Sequence, residues 1–187
     1  MNATRRLYCA GLLLALLLGA TSLSFWVATK NFAIADPVKS PRTAEVLATA
    51  NVEGSESQVM VARYFASESN RAMFQFLGPL QLIGAWGALL LGYAALHGQR
   101  WQRLGRGVLV AAALLSLALA PLVPMMVAKG RAIDFVSRAG GNPPEVRDFL
   151  LWHGIYMAGD TLLFVASLVL LALLAPGCRD AAERSTD

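Results

Sequence analysis

Four stretches of this chain are too long and too apolar to be ordinary core helices. Leu7–Thr29, Phe74–Leu96, Val108–Val127 and Phe149–Ala175 contain no Lys, Arg or Glu. A helix rises 1.5 Å per residue, so about 20 apolar residues cross the roughly 30 Å of hydrocarbon in a bilayer, and all four stretches reach that length. The rest of the composition agrees. The 187 residues are 56% hydrophobic and 15% charged, with a mean hydropathy of +0.52, whereas a soluble domain of this size carries more charge. The predicted fold is therefore all-α: a single membrane domain over residues 1–187, an integral membrane four-helix bundle. Its spans fall at about 7–29, 74–97, 106–127 and 148–175, and a helical extracytoplasmic cap at about 30–73 joins spans one and two.

Charge orients the spans. Short connections rich in Lys and Arg stay in the cytoplasm. The connection "HGQRWQRLGRG" holds Arg100, Arg103 and Arg106 with no acid; Arg5 and Arg6 precede the first span, and Arg179 and Arg184 follow the last. The two opposite segments mix their cations with Asp36, Glu45, Glu53, Glu56, Glu68, Asp134, Glu145 and Asp148. Both termini are expected in the cytoplasm, as in a bacterial inner-membrane protein. Trp101 then suits the inner interface and Trp26 and Trp152 the outer one. The net charge of +4 is accounted for by these connections and implies no nucleic-acid partner. A cleaved signal peptide is the competing reading of the first block, with "MNATRR" ahead of it and a small-x-small site at "AIAD". The block is longer than a usual signal core, which favours a retained span.

Between spans one and two, Ser40 and Pro41 make a helix start, "NVEGSES" interrupts, and "SQVMVARYFASESNRAMFQFLG" resumes helical periodicity into the second span. This segment is expected to cover the outer mouth of the bundle, or else to act as an interfacial or docking surface. Before the last span, Asn142, two prolines and Glu145 mark a helix N-terminus. Pro121 and Pro124 should kink the third span near its outer end. No internal repeat of the inverted-repeat transporter kind is present.

Lipid tails give no hydrophobic drive between spans, so close packing needs small residues. Span one carries Gly11, Ala15 and Gly19 at four-residue spacing; span two carries Gly84, Ala88 and Gly92. Read antiparallel, these stripes match in depth, with Ser22 opposite Gln81 for a hydrogen bond worth about 1 kcal/mol.

The last span holds the one charged side chain of the four blocks. His153, Asp160 and Ser167 are seven residues apart, two helical turns less about 20°, so they share nearly one face, flanked by Tyr156. An ionised Asp near the midplane costs about 2.5–3.5 kcal/mol. The face is therefore expected to point inward, toward Gln81, Ser22 and Ser116 at similar depth. With no cation in any span, Asp160 is expected to stay protonated and donate a hydrogen bond. Three roles follow for Asp160, His153, Tyr156 and Gln81: polar glue between helices, a proton relay or cation path, or the lining of a quinone or small-molecule pocket.

Cys9 and Cys178 form no C-x-x-C or Cys/His cluster, so no metal site is expected. His97 and His153 lie at opposite depths, which disfavours a bis-histidine haem. No nucleophile elbow or phosphate loop occurs. No catalytic residue and no cofactor is assigned.

The spacing Phe149-x-x-x-His153-Gly154, opening the last span, resembles an uncharacterised family of small four-helix integral membrane proteins, known as a domain of unknown function. "ARYF" (Ala62–Phe65) is similar to that family's aromatic stretch before its second span. The resemblance implies the four-span layout and His153 as a family position, and implies no activity. The chain departs from the pattern after Gly154, where "IYMAGD" brings in the acid. The expected role is non-enzymatic: an accessory or scaffold subunit in the lipid bilayer, joined to itself or to another membrane protein. A small proton- or cation-linked transporter using Asp160 is the alternative, and a quinone- or small-molecule-binding subunit the next.

Overall fold

A computed structural model describes residues 2–96, 100–136 and 141–183, without the side chains of Arg100 and of residues 176–183. His97, the side chain of Cys178, Arg179 and Arg184 therefore lie outside the described residues. Among the described residues the chain is all helical: α1 (Ala3–Ala35), α2 (Pro41–Thr49), α3 (Ser55–Tyr93), α4 (Arg100–Leu119), α5 (Leu122–Ala132) and α6 (Pro144–Glu183). Four segments are long and apolar enough to cross a membrane: Ala3–Ala35, Ser55–Tyr93, Trp101–Ala132 and Pro144–Ala175. α1 has 33 residues, α3 39 and α6 40, so at 1.5 Å per residue each exceeds a 30 Å hydrocarbon layer by roughly 20–30 Å.

Two compact units are built from these helices. One contains α1 as far as Thr21, Leu77–Pro121, and α6 from Ile155 onward; the other contains Ser22–Phe76 and Leu122–Gly154.

The first unit has a continuous apolar core. α1 contributes Leu7, Ala10, Leu14 and Leu17, α3 Ala88, α4 Leu109 and Ala112, and α6 Leu163, Leu170 and Leu174. The α1 residues recur at three and four, the spacing of one helical face. Gly84 lies against Leu17, whose Cδ1 would be 3.7 Å from an added Cβ. Gly92 lies against α4 and α1 together, 3.0 Å from Leu109 Cδ1 and 3.6 Å from Ala10 Cβ on the same measure. α1 and α3 are thus antiparallel neighbours, and Gly84, Ala88 and Gly92 all point inward.

The expected partner face on α1 is not the one used. Ala15 and Gly19 are exposed, nothing lies within 4 Å of where a Gly19 Cβ would be, and Gly11 faces Leu171 of α6 at 3.9 Å. The glycines of α3 receive leucine and alanine side chains of α1 rather than its small-residue stripe. A groove floored by glycine is filled better by a projecting Leu17 than by another glycine, because contact area between helices in lipid comes from van der Waals fit.

The second unit holds the helical cap. Ser40 caps α2, its Oγ accepting from the Thr43 N–H at 3.4 Å, with Pro41 at the first position. Thr43 Oγ1 donates to the Ile34 carbonyl at 2.7 Å, tying α2 to the end of α1. Asn51 and Gly54 then adopt φ of 55° and 83°, the left-handed region that stops a helix, and α3 begins at Ser55. It runs unbroken past Pro79 into the second apolar block. The third apolar block is interrupted where the prolines fall. The helix ends at Leu119 and restarts at Leu122 around Pro121, which lacks the N–H the continuing ladder needs. α6 begins at Pro144, one residue later than an Asn142 cap places it, and Arg147 Nε donates to the Asn142 carbonyl at 2.9 Å.

Candidate functional site

Asp160 is 1% exposed, beside Tyr156 at 0% and Gln81 at 3%. Tyr156 and Asp160 stand four residues apart on α6, so they project from one side of it. Gln81 reaches them from α3. Its Nε2 donates to Asp160 Oδ1, and its Oε1 accepts from the Tyr156 hydroxyl at 3.5 Å. One amide thus bridges a phenol and a carboxyl inside the first unit. Asp160 Oδ1 accepts in this arrangement.

Backbone packing presses these groups into the interior. Gly159, next to Asp160, faces α4 so closely that an added Cβ would come within 2.6 Å of Leu119 Cδ2 and 3.4 Å of Leu119 Cγ. A Cβ at this position would require the end of the Leu119 side chain to turn aside.

The other side chains expected around Asp160 divide. Ser116 and Ser167 are buried at 3% and 0%, but their hydroxyls donate to the Ala113 and Leu163 carbonyls of their own helices. Ser22 is exposed, and α1's buried polar residue in this unit is Thr21, at 2%. One position along a helix is 100°, enough to turn a side chain from core to lipid. His153 is not part of the Asp160 chain: it belongs to the second unit, half-buried, with its ring stacked on Phe149 at 5.5 Å and 16°. Cys9 is a free, exposed thiol.

The second unit contains a polar network that sequence reasoning missed. Arg71 of α3 lays its guanidinium on Asp134, just beyond α5, in a two-pronged pair, and its Nη1 also reaches Glu68 at 2.5 Å. Glu68 is shared with Arg131 of α5 at 3.2 Å. Gly130 allows this approach, since an added Cβ would sit 3.2 Å from Arg71 Nε. Lys129 pairs with Asp148, joining α5 to α6. Asn31 of α1 donates to Asn70 at 2.8 Å and to Ser69 at 3.2 Å. Residues 68–71 of α3 therefore tie to α1 and to the α5 end through polar contacts. Tyr64 stacks on Phe135 at 5.3 Å beside them.

Chemically, the Asp160 chain can hold a proton or pass hydrogen-bond polarity between helices. Among the described residues, no group of three or more His, Cys, Asp or Glu side chains comes together as a metal site would require. No family model, no curated protein and no solved structure matches the chain.

Proposed function

We propose that this chain is a multi-pass inner-membrane protein of bacterial type that acts as an accessory or scaffold subunit, assembling with itself or with another membrane protein. The observation that carries the reading is the outward face of α1. Its own bundle uses Leu7, Ala10, Leu14 and Leu17. On the other side Ala15 and Gly19 lie open, beside Leu12 and Leu16 at 62% and 61% exposure. Small residues at four-residue spacing, flanked by leucines, form the shallow groove that lets a second membrane helix approach closely. The Asp160–Gln81 tie holds α6 to α3 within the unit that carries that face.

Both termini are placed in the cytoplasm in this reading. The outer-side cations Arg71, Arg131 and Lys129 are matched by carboxylates, whereas the connection between spans two and three has three arginines and no acid. A C-terminal reporter that matures only in the cytoplasm tests the orientation.

Assembly is tested by particle mass in mild detergent. Gly19→Leu should dissociate the assembly and leave the single chain's thermal midpoint unchanged. Gly84→Leu, which collides with Leu17 inside the bundle, should lower that midpoint. A wild-type chain that runs alone and brings no membrane protein with it would defeat the proposal.

A further inference from the structure

We infer that the end of the first unit where α1 and α4 begin carries a lipid-headgroup site, in which Arg106 and Arg103 hold the phosphate of an anionic phospholipid. This goes beyond the assembly reading and stands whether or not a partner helix is found.

Three helices converge at the site. Gly92 of α3 packs against Leu109 of α4 and Ala10 of α1, which lie 3.0 and 3.6 Å from where its Cβ would be. One turn nearer the end of the unit, the same approach brings Arg106 over Tyr93, with the guanidinium carbon 5.4 Å from the ring centroid and within cation–π range. A ring face offsets part of that charge but offers no oxygen to the five N–H donors. Arg103 precedes Arg106 by three residues on α4, so the two share one side of the helix, and Arg103 is exposed. Arg6 stands one turn before Ala10 on α1.

Among the described residues, no carboxylate pairs with Arg6, Arg103 or Arg106, whereas Arg71, Arg131 and Lys129 each hold one. Among the described side chains of the first unit the one acid is Asp160, bonded to Gln81. Gln81 lies about 18 Å from Tyr93 along α3. Depth selects the anion that completes the arginines. The third apolar block starts at Val108, so at 1.5 Å per residue Arg106 and Arg103 stand about 3 and 8 Å outside the hydrocarbon, the depth of phospholipid headgroups. Trp101 and Leu104, on the same turns of α4, are exposed and set lipid contact beside the arginines. A guanidinium meets two phosphate oxygens with two parallel N–H bonds, which an ammonium cannot do.

Native mass spectrometry of the full chain in mild detergent, titrated with phosphatidylglycerol or phosphatidylcholine of matched acyl chains, tests the inference. The wild type should hold phosphatidylglycerol the more tightly. An arginine near a leaflet surface contributes about fivefold, so Arg103→Gln/Arg106→Gln should weaken phosphatidylglycerol binding by about 30-fold or more. Arg106→Lys keeps the charge and loses the two-pronged contact, and should weaken binding by about tenfold. Tyr93→Leu removes the ring at an exposed position and should weaken binding by about threefold. Equal retention of the two lipids overturns the inference. So does an Arg106→Lys chain that binds like wild type, which would reduce the site to a diffuse positive field. Displacement of the lipid by inorganic phosphate at equal concentration overturns it as well, since the occupant would then be a soluble anion.

Discussion

Replacing Arg71 with Met should cost about 3–5 kcal/mol of stability, the penalty for leaving a buried partner charge uncompensated. The reasoning starts from exposure. The Arg71 side chain is 9% exposed and that of Asp134 6%, so water cannot take over when the guanidinium is lost. Glu68 differs: at 32% exposure and with Arg131 still beside it, it is screened by solvent and adds little to the loss. Met fills most of the aliphatic volume of Arg, so the cost isolates charge from packing. The double variant Arg71→Met/Asp134→Leu removes both charges and should recover most of the loss, since apolar residues of similar volume often replace a buried pair at no cost. Denaturant titrations in mixed micelles, followed by tryptophan fluorescence, measure both. An Arg71→Met variant within about 0.5 kcal/mol of wild type, the range of ordinary surface substitutions, would refute the reasoning. A double variant no better than the single would do the same.

Two further expectations follow from local geometry. Gly159→Ala brings a Cβ against the end of Leu119 and should forfeit the gain of about 1 kcal/mol that Ala normally brings over Gly inside a helix; with Leu119→Ala the gain should reappear, and strictly additive effects in a thermal cycle would contradict the contact. Asp36 accepts from the Val38 N–H at 3.0 Å, which, with Lys39, holds its carboxyl below the usual range. A lowered folded value means the stabilisation is complete above the ordinary carboxylate range and is lost as pH falls through the folded value. The protection of the Val38 amide relative to its intrinsic exchange rate should therefore fall in acid, and Asp36→Ala should show the lower protection already at neutral pH.

The four spans could be read from the chain because a run of about 20 apolar residues states its length without reference to any neighbour. The inward direction of Asp160 was legible for a similar reason, since a carboxyl in hydrocarbon has few other places to go. Which face of α1 packs was not legible. That helix is apolar all round, so Leu17 and Gly19 are equally at ease in lipid, and the choice is made by the shape of α3 at Gly84 and Gly92. Ser22 was one position away from the buried Thr21 for the same reason. The Arg71 network was hidden by separation: Arg71 and Asp134 are 63 residues apart. The available signal was an arginine three residues before an apolar block, a cation at the edge of hydrocarbon that calls for a carboxylate partner.

The role proposed for this chain depends on a second helix meeting the outward side of α1. A photo-crosslinking residue placed singly at Ala15, Gly19, Leu14 or Leu17, activated in native membranes, tests that contact directly. Adducts of one defined mass from positions 15 and 19, with little from 14 and 17, are the predicted result. Equal labelling from all four positions, or adducts with lipid alone at 15 and 19, would contradict it.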